Sequence, residues 1–248
     1  MKKIKSSLEI ALERLGGVQT DREELEKLNE EKYLKFLKQN SLRLVRLINN
    51  LIDITKIDAN YLEIHRKNLD IVNLVESITS SVIDFAKCKN INIIFDTDIE
   101  EKVISCDPDY VERIILNLLS NAIKFTPKGG KILVSVHDMN EEINVSVKDN
   151  GIGIPVDKQK NIFNRFEQVD KSLRREHEGS GIGLLLVKLL VNKLDCNIYL
   201  KSQPSKGSEF IVEIPCITIP ETSEFKIVDT LICNIVESAI IEFSDIFC

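Results

Sequence analysis

Two glycine clusters constrain this chain more than anything else in it. DNGIGIP, at residues 149–155, follows an alternating apolar pattern and so turns the chain at the end of a strand. GSGIGL, at residues 179–184, runs straight into an apolar helical pattern. Some 25 residues lie between them, among them IFNRFEQVDKS at 162–172 and the pair Arg174-Arg175. A connection of that length suits a functional loop, here a lid with cations able to reach a ligand. Upstream, NLLSNAIKFT at 117–126 closes an amphipathic helix. A fold that obeys this order brings a helix face, a strand end, a lid and a helix N-terminus around one pocket.

The rest of the sequence reads as two regimes. Residues 31–58 form one long helical pattern, with Leu34, Leu37, Ser41, Leu44, Ile48, Leu51 and Thr55 stepping by three and four. A weaker copy at Ile4, Leu8, Ala11 and Leu15 ends at Gly16-Gly17, and the charged segment 18–29 suits a connection between antiparallel helices. Residues 1–60 are expected to form a helical hairpin, and two chains would make a four-helix bundle. The alternative is an intrachain pair packed on the following domain.

From Tyr61 the period changes. Residues 62–66, 91–96, 131–137 and 143–149 read as strands, and 197–201 with 208–214 as a closing hairpin. Helices are expected at 71–87 behind an Asp70 cap, from Asp107-Pro108 onward, and at 183–194. The second helix would bury Val111, Ile114, Ile115, Leu118, Leu119 and Ala122. The expected fold is α+β: a two-layer α/β sandwich with helices on one face of a mixed sheet, over residues 61–215. Residues 216–248 form a tail of unassigned place, either an added strand and helix or a poorly ordered segment.

Composition excludes several classes. A net charge of −6 argues against nucleic acid as a partner. There is no apolar run long enough for a membrane segment, and the basic start lacks a signal-peptide core, so a cytoplasmic location is expected. The six cysteines form no Cys-x-x-Cys motif and are expected to be reduced thiols.

The pocket residues point to phosphate chemistry. Asn117 and Asn121 share one helix face, with Lys124 near it. Amide oxygens and a cation so placed suit a hydrated Mg2+ and the phosphates it bridges; the plain alternative is a solvated helix face. Asp149, beside a glycine turn, can accept a hydrogen bond from an adenine amino group; the plain alternative is an Asn-Gly turn. Gly179, Gly181 and Gly183 lead into a helix N-terminus, whose free N–H groups attract phosphate.

Taken together, the four stretches resemble those of the catalytic and ATP-binding domain of bacterial sensor histidine kinases, within the gyrase-type ATPase superfamily. NLLSNAIKFT is similar to the N box, DNGIGIP to the first glycine box, IFNRFEQVD to the F box and GSGIGL to the second glycine box. Gly207-Ser208-Glu209-Phe210 is similar to the family's closing-strand motif, and the helix to Asp58 resembles its second dimerisation helix. The resemblance implies ATP and Mg2+ as ligands. It makes Asn121 the metal ligand and sets Asn117 and Lys124 at the phosphates as the catalytic residues. Phe125 packs on adenine, Asp149 binds its amino group, and Gly151, Gly153, Gly179, Ser180, Gly181, Gly183 and Leu184 shape the pocket. Superfamily members that hydrolyse ATP carry a glutamate where Asn117 stands. An amide is no useful base at neutral pH, so transfer is favoured over hydrolysis.

The resemblance also implies a phosphoryl transfer to a protein histidine in a two-component signalling system, a dimer through the hairpin (with itself or a related kinase), and a response regulator receiver domain as partner. The family's acceptor is a His on the first dimerisation helix, followed by an acidic residue and a Pro. The three histidines here, His65, His137 and His177, stand elsewhere, and the first helix reads as short, as though the sequence started just after the acceptor. Two alternatives stay open: a degenerate or truncated kinase that regulates other kinases by dimerising, and a serine kinase of the anti-sigma type.

Overall fold

The computed structural model describes residues 22–164, 181–220 and 228–244. The chain divides into two compact units, Met1–Ser41 and Leu42–Cys248. Helix α1, Arg22–Asp58, begins in the first and ends in the second. The expected first hairpin helix lies outside the described residues. The segment expected to be a connection is already helical from Arg22. Its REELEKLN run consists mostly of strong helix formers, and that outweighs its lack of an apolar stripe. The heptad seam is exposed, with Leu34 at 66% and Ile48 at 47%. In the second unit the opposite face of α1 is buried, through Arg46, Asn50, Asp53, Ile54 and Ile57.

Five strands form the main sheet, in the order β2-β4-β5-β7-β6. These are β2 Asn92–Thr97, β4 Lys131–Asp138, β5 Glu142–Asp149, β6 Asn197–Gln203 and β7 Gly207–Pro215. β2 and β4 run parallel; the other neighbours are antiparallel. Period-2 alternation puts Val134, Val136, Val145, Val147, Phe210 and Val212 on the buried face. Helices α2 Ile71–Ser81, α4 Pro108–Phe125 and α6 Gly183–Lys193 cover that face, and a short helix α5, Val156–Gln159, precedes α6. The architecture is the expected two-layer α/β sandwich with a mixed sheet. Val111, Ile114, Ile115, Leu118, Leu119 and Ala122 are all buried on α4, as the pattern requires.

Four local expectations change. Residues 62–66 are not a strand, although their exposure alternates. His65 donates its N–H to Asp107 Oδ2 at 2.7 Å, and the Glu63 carbonyl accepts the Tyr110 hydroxyl, so this stretch braces the start of α4 rather than joining a ladder. The strand comes next, as β1 Lys67–Asp70, paired antiparallel with the unexpected β3 Val103–Cys106 in a separate two-stranded sheet. The helix expected over 71–87 breaks at Val82 into α2 and α3, Ile83–Cys88. Its cap is as expected: the Asp70 carboxylate accepts the Val72 and Asn73 N–H groups. Cys106, Cys196 and Cys216 are free thiols, but Cys88 is disulfide-bonded, contrary to the expectation of six reduced thiols.

The tail has a defined place. After β7 the chain lies against the small sheet, where Ile217 O accepts the Ser105 N–H and Ile219 exchanges hydrogen bonds with Asn68. Helix α7, Val228–Glu242, then packs on α2 and α4. Ile235, Ala239 and Phe243 are buried, and Phe243 stacks on Phe85 with centroids 5.1 Å apart. The buried Arg46 guanidinium donates to the Glu242 carbonyl at 2.6 Å. A cation there neutralises the negative end of a helix with no basic residue in its last turn. The tail is thus part of the core. Phe243→Ala is expected to lower unfolding free energy by about 3–5 kcal/mol in denaturant titration; a change under about 1 kcal/mol would show that the tail does not help hold the domain together.

Candidate functional site

Helix α4 is the floor of the site. Asp107 caps it, accepting the Asp109 and Tyr110 N–H groups, and Pro108 fills the first turn. At the other end Phe125 O accepts the Ile152 N–H at 3.3 Å, tying the first glycine turn to α4. Asn117, Asn121, Lys124 and Phe125 all lie on the C-terminal half of this helix. Asn117 is buried, and its Nδ2 donates back to Arg113 O at 2.8 Å. That bond directs Oδ1 toward the start of α6, where a Cβ on Gly183 would stand only 2.7 Å from it. Asn121 and Lys124 are half-buried, and the Lys124 Nζ sits 5.8 Å from the Phe125 ring centroid.

Asp149 ends β5 with its carboxylate divided in two. Oδ1 accepts the Gly151 N–H at 2.8 Å and the Ser208 N–H at 3.3 Å. Oδ2 meets no hydrogen-bond donor among the described residues. Burial pushes this carboxyl above the usual aspartate range, and the two N–H donors pull it partly back. Such a group is positioned to accept one further hydrogen bond at its free oxygen.

The turn after Asp149 is pressed against the β6–β7 connection. Gly153 has φ of +66°, and a Cβ there would collide with the Gln203 carbonyl. Gly207, at φ +95°, abuts the Asp149 carbonyl in the same way. Only glycine meets both demands at these two positions. Asn150 completes the turn, its Oδ1 accepting the Lys131 N–H at 2.8 Å. Gly181 and the half-buried Leu184 flank the start of α6, whose residues at Ile182 supply no side-chain cap. A helix start without a side-chain cap of its own suits an anion. From the 162–172 stretch, Ile162 is buried and Phe163 packs edge-on to Phe210, 6.4 Å between centroids. Gly179, Ser180, His177 and the lid cations Arg174 and Arg175 lie outside the described residues.

The structure thus brings the α4 face, the Asp149 turn and the α6 N-terminus together. It adds residues that sequence reasoning did not single out: Ser202, Gln159 and the Ser208 hydroxyl. Ser208 lay within a recognisable closing-strand motif; nothing local marked Gln159 or Ser202. The donor set fits a purine nucleotide with a hydrated divalent cation. The free Asp149 oxygen suits a base amino group, the glycine turn leaves room for close approach, and amide oxygens with one lysine suit Mg2+ and phosphate.

Comparison with known proteins agrees. Residues 106–218 match the family described as histidine kinase-, DNA gyrase B-, and HSP90-like ATPase. The circadian input-output histidine kinase CikA of Synechococcus elongatus is 32% identical over 194 residues, covering 77% of this chain but only 26% of that protein. The catalytic domain of histidine kinase ThkA superposes with a TM-score of 0.55 at 26% identity, over 62% of this chain and 97% of that one. Full-length ShkA in complex with AMPPNP gives a TM-score of 0.68 at 25% identity, over 78% of this chain and 40% of that one. Fold and pocket define a gyrase-type ATP-binding domain. Within that superfamily it is a catalytic and ATP-binding domain of the sensor histidine kinase type.

Two outcomes follow from this geometry. Gly153→Ala, strained in φ and blocked by Gln203, is expected to weaken nucleotide binding by at least about tenfold in equilibrium titration; unchanged affinity would mean the turn does not shape the site. Because Oδ1 already accepts two N–H groups, a proton taken up by Asp149 would sit on the free Oδ2 and turn it into a donor, and the carboxyl lies above the usual range. Nucleotide affinity should therefore fall as pH drops, and begin falling at a higher pH than an unperturbed aspartate would allow. A flat profile down to the ordinary aspartate range would contradict the assignment.

Proposed function

We propose that this protein is an ATP-binding histidine kinase of a two-component system, which transfers the γ-phosphoryl group of ATP to a histidine on another protein chain. The chain spans 26% of the length of CikA, so the activity and partners of the whole protein are part of this proposal. The observation that carries it is the pairing of a divided Asp149 carboxylate with Asn117 where a hydrolytic enzyme would need a base.

In this reading Asp149 Oδ2 accepts the adenine amino group, and Phe125 packs on the base. Asn121 is the ligand of Mg2+, with Asn117 beside the phosphates. Mg2+ held there would supply charge neutralisation for the transferred group. Lys124 supplies a point charge to a phosphate oxygen. The α6 N-terminus, with Gly179 to Leu184, cradles the phosphates through backbone N–H groups. Asn117 cannot take a proton from water, so the bound nucleotide is kept for a better nucleophile. An imidazole meets that requirement. The imidazoles of the described histidines lie beside carboxylates away from the α4 face: His65 is 3.8 Å from Glu63, and His137 is 3.4 Å from Asp98. The acceptor is therefore sought on a partner.

A second reading is a dimerising regulator of related kinases, with the nucleotide site retained. The exposed apolar seam of α1 favours dimerisation in either reading. No helix among the described residues is long and apolar enough to cross a membrane, and a cytoplasmic location is proposed with a receiver domain as the downstream partner.

Asp149→Asn replaces the free acceptor by a donor while the backbone N–H bonds can persist, so it should abolish Mg-nucleotide binding without unfolding the domain. Asn121→Asp should disturb metal binding. Wild-type affinity in both variants would sink the site assignment. Incubation with labelled ATP and a kinase carrying an acceptor histidine should give acid-labile phosphoprotein. An acid-stable product would identify serine or threonine chemistry instead. Light scattering should give a dimer mass; a monomer at high concentration would contradict the seam's role.

A further inference from the structure

Cys88 closes α3; it is exposed, and it is disulfide-bonded. The sequence holds six cysteines, of which Cys106, Cys196 and Cys216 are free thiols. Two cysteines are left to pair with Cys88, namely Cys233 and Cys248, and both follow β7 in the tail. The bond therefore joins the surface end of α3 to the tail. The loop it closes contains every strand of the main sheet.

Non-covalent contacts bring the same parts together. Phe85, one turn before Cys88, stacks on Phe243. Ile235 and Ala239 are buried where α7 packs on α2 and α4. Ser238 hydrogen-bonds the buried Glu112 carboxylate of α4. At the end of α7 the Glu242 carbonyl accepts from Arg46 of α1, and the Glu242 carboxylate lies 3.8 Å from the same guanidinium. The tail thus touches α1 through Arg46, α3 through Phe85 and α4 through Glu112. The chain enters the tail at Pro215, and the disulfide gives it a second covalent anchor.

The position of Cys88 decides whether that anchor can be released. Thiol–disulfide exchange needs a thiolate to reach a sulfur, and an exposed disulfide offers the access that a buried one withholds. The free cysteines set the contrast. Cys106 and Cys196 are buried, and burial pushes both thiols up to about 12, so neither competes as a nucleophile at neutral pH. Cys216 is half-buried, and burial pushes its thiol up as well. Among the described cysteines, Cys88 is the exposed one. In a reducing compartment a bond so placed stays closed only while an oxidised thiol carrier is at hand.

We propose that Cys88 is a thiol-exchange site: a low-molecular-weight disulfide closes its bond to a tail cysteine and fastens α7 over α1, α3 and α4, and a low-molecular-weight thiol opens it. Closure begins when one protein thiolate attacks the small disulfide, forming a mixed disulfide and releasing one small thiolate. The second protein thiolate then attacks the protein sulfur of the mixed disulfide and releases the other. Two protein thiols lose two electrons and two protons, and the small disulfide takes up both and leaves as two thiols. Opening keeps the non-covalent contacts but removes an anchor, so α7 detaches more often. Helix α1 feels this unevenly. Arg46 depends on α7, whereas Asp53 pairs with Arg113 of α4, and Ile54 and Ile57 lie in the core. None of this depends on the nucleotide reading above.

The test treats the full chain with oxidised or reduced glutathione and reads it twice. Alkylation under denaturing conditions should cap two fewer of the six cysteines after oxidised than after reduced glutathione. Peptide mass mapping should link Cys88 to the peptide of Cys233 or of Cys248. Hydrogen exchange of the native protein should run about tenfold or more faster in α7 after reduction. The turn of α1 around Arg46 should follow α7, while the main sheet stays unchanged. Cys88→Ser should exchange like reduced wild type in either glutathione state, and so should the double variant Cys233→Ser/Cys248→Ser. Full alkylation of Cys88 after oxidised glutathione overturns the proposal, as does a link from Cys88 to Cys106, Cys196 or Cys216. Loss of the link with no change of exchange in α7 overturns it too. The wild-type comparison uses no substitution, so both readouts decide even where a variant fails to fold.

Discussion

Helix α4 is held by apolar contacts on most of its circumference, with the sheet beneath it and α2, α6 and α7 around it. Burial of Ile114, Ile115, Leu118, Leu119 and Ile123 leaves the helix little freedom to rotate or slide. That rigidity is what the site uses. Asn117, Asn121 and Lys124 take their positions from the same helix whose other residues are locked in the core. Its N-terminal half is braced as well, by Asp107 against the 62–66 segment and by the Arg113 ion pair with Asp53 of α1. Packing thus converts an amphipathic pattern into fixed donor positions, as preorganised binding of phosphate requires.

The opposite wall is built differently. The Asp149 turn is tied to the β6–β7 hairpin by hydrogen bonds, with Ile154 packed against the core. Two glycines allow the backbones to touch, and Ser202, Gln159 and Ser205 close the gap. Ile154 is answered at its N–H by Ser202 and at its carbonyl by Gln159, so losing either side chain leaves a backbone group unsatisfied. The same arrangement explains the state of Asp149. Burial disfavours its charge, two N–H groups restore part of the balance, and one oxygen is left for a ligand. Protonation would relieve a cost in the empty fold and remove the acceptor from the site, so acid acts on folding and on binding in opposite directions at this residue.

Much of this was legible in the sequence because it depends on local chemistry. The Asp70 and Asp107 caps, the Pro108 start and the buried stripe of α4 follow from short-range rules, and each stands where the residues put it. The first glycine cluster was legible because close contact with a neighbouring backbone leaves a mark in the sequence. What was hidden depends on distant partners. Residues 62–66 alternate as a strand would, but Asp107 and Tyr110, more than forty positions away, satisfy their backbone. β3 is four residues long and carries no signal until β1 pairs with it. Likewise the tail looked unplaced until Phe85 and Arg46 supplied contacts for Phe243 and Glu242. Ser202 and Gln159 belong to the same class: ordinary polar residues whose meaning comes from the turn they hold.

The central claim is that the divided carboxylate of Asp149 and the α4 face of Asn117, Asn121 and Lys124 are two ends of one adenine-nucleotide site. A crystal structure of the full chain with Mg-AMPPNP tests it most directly. The account predicts the adenine amino group within hydrogen-bond distance of Asp149 Oδ2, and Mg2+ and the phosphates over Asn121 and Lys124 beside the α6 N-terminus. A nucleotide bound with its base away from Asp149, or with its phosphates away from α4, would contradict it.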